Sequence, residues 1–94
     1  MNPSTLYLVQ SSYHNTLKII DELRDIYQVG DQIVFMGDSV AQLSVQVIQQ
    51  FESVSCLSVE KGLLDTDTLT QINVLDYAQF ADLALTFNRC ISLK

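Results

Sequence analysis

Five short apolar runs, separated by longer stretches of helical spacing, constrain what this chain can fold into more than any other feature. Thr5 to Gln10, Ile33 to Met36, Val54 to Val59, Ile72 to Leu75 and Cys90 to Leu93 are rich in strand formers and too short for buried helices. Between them, apolar residues recur every three or four positions. Ile19, Ile20, Leu23, Ile26 and Tyr27 do so in the first gap, and Val40, Leu43, Val47, Ile48 and Phe51 in the second. Phe80, Leu83, Ala84 and Phe87 repeat the pattern before the last run. Strands that are apolar throughout, rather than alternating, are buried on both faces. The pattern therefore predicts one α/β domain over residues 1–94, with a mainly parallel sheet of four to five strands covered by helices on both sides. Right-handed crossovers then fix most of the topology.

Local signals refine the boundaries. Gly30 can take the left-handed conformation that closes the first helix, and Asn88 can do the same for the last. Gly37-Asp38-Ser39 breaks the second strand, and Ser39 with Gln42 has the spacing of a capping box for the second helix. Asp76 is placed to cap the last helix. Glu60 to Leu69 reads as a connection with one helical turn at Glu60–Leu64.

Composition narrows the function classes. Charged residues make up 17% of the chain against about 25% in an ordinary globular domain, and depletion of charge marks the core of protein–protein interfaces. The 11 acidic and 5 basic residues leave a net charge of −6. The bases Lys18, Arg24, Lys61, Arg89 and Lys94 are scattered, so no stripe forms that could neutralise phosphates, and direct nucleic-acid binding is not expected. No apolar run approaches a membrane span, and Met1-Asn2-Pro3-Ser4 lacks the basic start of a signal peptide. Two cysteines without a secretory signal read as free thiols, which makes the cytoplasm the expected compartment.

Few motifs carry chemistry. His14 is the sole histidine and Cys56 and Cys90 lack metal-ligand spacing, so no metal or cofactor is expected. Asp65-Thr66-Asp67 starts like a calcium loop, but the glycine and closing glutamate are missing. Phosphate-binding glycine loops and a serine elbow are absent. The weak catalytic candidates are Cys90, which has Arg89 beside it, and Cys56, which has no neighbouring base; a small buried side chain explains either. In parallel sheets, sites form at the carboxyl ends of the strands, a rim that here holds Ser11, Ser12, His14, Gly37, Asp38 and Ser39. His14 near Asp38 could form an acid–base pair, although helix capping explains the same residue types.

Taken in order, these segments resemble the TusB/DsrH family, within the DsrE/F/H-like superfamily of sulfur-relay subunits. The likeness runs over about residues 5 to 93. Its carriers are Leu6 to Val9 with Ser12, Gly30-Asp31 leading into Ile33 to Met36, Asp38 with Val40, and above all the stretch from Ile72 to Leu83. The resemblance implies a flavodoxin-like three-layer α/β/α domain. It also implies a structural subunit packed with TusC-like and TusD-like chains in a hetero-oligomer, a heterohexamer. Such a complex passes persulfide sulfur from a TusA-like carrier to a TusE-like acceptor, toward the 2-thio group of the tRNA wobble uridine. The transferring cysteine would belong to the TusD-like partner. DsrH-type chains can carry a cysteine on the first helix, and Ile20 to Leu23 holds none. Tyr7 and Tyr13 stand where the family commonly has histidine and proline. Two alternatives stay open: a sulfurtransferase or redox protein acting through its own thiol, and a free-standing DsrE-like interaction module.

Overall fold

The computed structural model describes residues 4–94; Met1 to Pro3, part of the segment read for a targeting signal, lie outside the described residues. Five strands form one sheet: β1 (Thr5–Val9), β2 (Gln32–Phe35), β3 (Val54–Leu57), β4 (Asn73–Leu75) and β5 (Arg89–Leu93). Their order is β4-β3-β2-β1-β5 and every pairing is parallel, with Tyr7 of β1 in register with Ile33 of β2 and Ile91 of β5. The helices are α1 (Thr16–Ile26), α2 (Val45–Ile48), α3 (Thr66–Gln71) and α4 (Tyr77–Thr86).

The chain steps outward from β1 to β4 in one direction, so right-handed crossovers put α1, α2 and α3 on one face. The return from β4 to β5 runs the other way and puts α4 on the opposite face. Two apolar clusters bear this out. Tyr7, Val9, Ile33, Phe35, Val54 and Cys56 pack with Ile19, Ile20 and Leu23 of α1, Val47 and Ile48 of α2, and Phe51. On the other side Leu6, Val34, Met36 and Leu57 pack with the half-buried Phe80, Leu83, Ala84 and Phe87. Successive strand residues thus feed opposite cores, which is why the strands are apolar throughout. The three-layer α/β/α arrangement is the one expected, with the direction of winding reversing between β1 and β5.

Coverage of the two faces is unequal. Five strands span about 24 Å and one helix about 10 Å, so α4 alone shields roughly two strands' width.

Several local expectations need correction. Gly30 does have a positive φ of 95°, but α1 ends at Ile26 and Gly30 sits in the turn where the Asp31 amide donates to the Gln28 carbonyl, 3.0 Å. A Cβ there would also lie 2.8 Å from Ser4 Oγ. Gly30→Ala is expected to cost about 1–2 kcal/mol, read as a lower urea midpoint with an unchanged slope. The second helix does not start at Ser39. Gly37–Gln42 is a 3-10 turn, Leu43 is extended, and Ser44 caps the short α2 by accepting from the Val47 amide, 3.3 Å. Three of the four α2 residues are β-branched, which disfavours a longer helix. The helical turn expected at Glu60–Leu64 is present as a 3-10 turn over Ser58–Leu63, but the rest of that connection is not irregular, since it forms α3. Asn88 is not left-handed; α4 closes through an extended Phe87, which packs into the smaller core. Asp76 does cap α4, in a reciprocal box with Gln79 at 2.7 and 2.9 Å.

Candidate functional site

The carboxyl ends of β1, β2 and β3 each run into a 3-10 turn: Tyr13–Asn15, Gly37–Gln42 and Ser58–Leu63. These turns pack side by side and form the rim where such a sheet would place its chemistry. Two bonds tie them together: the Gln42 side chain donates to the Tyr13 carbonyl at 3.1 Å, and Glu60 Oε1 accepts from the Gly37 amide at 2.8 Å.

Ser11, Ser12, His14, Asp38 and Ser39 all lie on this rim as expected, but they do not converge. Ser39 is fully buried, and its hydroxyl lies 2.8 Å from the Met36 carbonyl and 3.2 Å from that of Val9. It bridges β1 and β2, and neither caps a helix nor faces a base. Ser12 is exposed and its side chain makes no capping bond; its carbonyl accepts from the Thr16 hydroxyl, 2.8 Å. Ser11 is buried against Thr16, with the two hydroxyls 2.7 Å apart. His14 and Asp38 are both exposed. The His14 ring stacks edge-on against Tyr13 at 5.7 Å, and among the described residues the one ion pair is Arg24–Asp21. The expected acid–base pair is therefore not assembled.

The cysteines differ sharply. Cys56 is 0% exposed within the larger core; burial pushes its thiol up, and the charge of Glu60 adds to the effect. Cys90 is exposed on β5, in register with Leu6 and so on the α4 side of the sheet. Strand alternation turns Arg89 to the opposite face, so the neighbour in sequence is not a neighbour of the thiol.

Asp65 and Asp67 belong to a helix start rather than to a metal loop. The Asp65 carboxylate accepts from the Thr68 amide at 2.7 Å, and that bond holds its carboxyl below the usual carboxylate range. No group of three or more potential metal ligands occurs among the described residues.

The sequence matches no protein-family model and no curated protein.

Sequence reasoning missed an open groove of 720 Å³ between α4 and the amino ends of β2, β3 and β4, lined among others by Gln32, Ser55, Asn73, Asp82 and Thr86. Its signal was three polar residues at strand positions that turn toward α4. It offers amides, hydroxyls and a single carboxylate, and neither thiol lines it. No helix among the described residues is long and apolar enough to cross a membrane.

Proposed function

We propose that this chain is a structural, non-catalytic subunit of a TusBCD-like sulfur-relay complex serving 2-thiolation of the tRNA wobble uridine in the cytoplasm, with TusC-like and TusD-like chains as its partners. The reading joins two supports. The order of strand, cap and helix segments resembles the TusB/DsrH family, most closely from Ile72 to Leu83, the stretch that forms β4, the Asp76 cap and most of α4.

The observation that carries the non-catalytic part is the disposition of the rim. Ser39 and Ser11 are committed to internal hydrogen bonds, His14 and Asp38 stand apart, and Cys56 is sealed in the core. No nucleophile and base meet among these residues. Sulfur handled by such a complex would sit on a partner's cysteine, and this chain would supply surface.

Co-expression with the genes beside its own tests the reading. The expected product is a stable complex with two related subunits of similar size, identified by intact mass. A chain that purifies without any second kind of subunit sinks it. The exposed Cys90 keeps one other reading in play, sulfur or redox chemistry on this chain's own thiol.

A further inference from the structure

Helix α4 is apolar on its outer side as well as on the side that meets the sheet. Phe80, Leu83 and Ala84 pack on the sheet, and Gln79, Asp82 and Thr86 border the groove. That leaves Tyr77, Ala78, Ala81 and Leu85 to solvent, with Tyr77 65% and Leu85 85% exposed. An exposed apolar stripe of this kind, rimmed by polar residues, marks an interaction surface.

We propose that this stripe pairs two copies of the chain, α4 against α4, antiparallel about a two-fold axis at Ala81. The shape is self-complementary. Tyr77, Ala81 and Leu85 follow one another at four-residue intervals as large, small and large side chains. An antiparallel two-fold seats each Tyr77 beside the partner's Leu85. The two alanines meet at the crossing, where small side chains allow axes about 8 Å apart.

Charge favours this face over that of α1. Each copy carries −6, so two copies can meet only where carboxylates are sparse. Among Tyr77–Thr86 the one charged residue is Asp82, which borders the groove, whereas α1 carries Lys18, Asp21, Glu22, Arg24 and Asp25.

Area sets the strength. A stable interface takes about 800 Å² from each partner, roughly a seventh of the 5559 Å² surface. One flank of a helix about 15 Å long supplies less than that. The pair is therefore expected to be weak and reversible, so its detection needs a concentration series. The inference does not depend on relay membership, which is read from what co-purifies, whereas pairing is read on the isolated chain.

Sedimentation velocity from about 5 to about 500 μM brackets the affinities of such small contacts. The expected result is a mass rising toward two chains. Leu85→Arg, at a site too exposed to unfold the protein, should weaken pairing at least ~30-fold, as an interface anchor does. In a Cys90→Ser background, Ala81→Cys should form an intermolecular disulfide on mild oxidation, while Glu22→Cys on α1 should not. A monomer across the whole range, or a dimer that Leu85→Arg leaves intact, overturns the proposal.

Discussion

Iodoacetamide applied to the native chain should label Cys90 at least ~10³-fold faster than Cys56, because an opening free energy of about 4 kcal/mol already sets that ratio. Both cysteines lie on strands, but β3 turns Cys56 into the larger core, where reagent reaches it only when the sheet opens. Burial and Glu60 also raise the Cys56 thiol, which lowers its thiolate fraction at neutral pH. The fold disfavours ionised Cys56. Its contribution to stability is thus complete below the ordinary thiol value of about 8.5 and is lost as pH rises through the higher folded value. Cys56 labelling should accordingly climb only on the alkaline side. Cys90 lies on the opposite face of β5 from Arg89, so it should react at the rate of a cysteine in an unstructured peptide. Peptide mass spectrometry over a time course gives both rates. A Cys90 rate tenfold above that reference would move the weight to the sulfurtransferase reading. Comparable rates for the two cysteines would mean that β3 does not hold Cys56 in the core.

The sheet was legible because its residues obey one rule with little interference. Leu6, Val34 and Leu57 serve one core while Tyr7, Ile33 and Cys56 serve the other, so uninterrupted apolar runs declare burial on both faces. Helix α4 was legible because Asp76 and Gln79 cap it locally. The second crossover was not. Val40, Leu43, Val47, Ile48 and Phe51 all reach the core as their spacing implies, but spacing of three and four residues fits a 3-10 turn as well as an α-helix. The decision comes from the Ser39 hydroxyl bonding back to β1 and β2, a contact between residues up to 30 positions apart. Helix α3 was hidden for a different reason. Thr66, Thr68 and Thr70 are poor helix formers, and the capping role of Asp65 looked like an acidic loop.

The rim shows a similar limit. Sequence order places His14 after β1 and Asp38 after β2, and both do lie at the carboxyl end of the sheet. Whether their side chains meet depends on the path of two 3-10 turns, which residue types do not encode. The groove was overlooked because Ser55 and Asn73 are single polar residues in apolar runs and Gln32 stands just before one, and they become neighbours only once β2, β3 and β4 are aligned.

Asp31→Ala should destabilise the chain by about 2–3 kcal/mol, roughly the cost of leaving one buried and one half-buried amide without a charged acceptor. Asp31 is 5% exposed, and its carboxylate accepts from the Thr5 amide at 2.8 Å and the Gln28 amide at 2.9 Å. It thereby joins the start of β1 to the turn between α1 and β2. Its carbonyl accepts from the Tyr27 hydroxyl at 2.9 Å, and the same hydroxyl oxygen accepts from the amides of Glu52 and Ser53, each at 3.2 Å. One carboxylate and one phenol thus fasten three strand starts at the amino end of the sheet. Asp31→Asn should recover less than half of the loss, because its amide keeps one acceptor and points a donor at the second N–H. Tyr27→Phe should cost about 1–2 kcal/mol and couple with Asp31→Ala in a double-mutant cycle. Urea unfolding at neutral pH measures all four variants, and a loss below about 0.5 kcal/mol for Asp31→Ala would refute the buried acceptor. The Gly30-Asp31 pair is one of the features on which the proposed likeness to the TusB/DsrH family rests. A large effect here would show that this part of the resemblance rests on what the fold needs. The functional assignment would then rest on the partners.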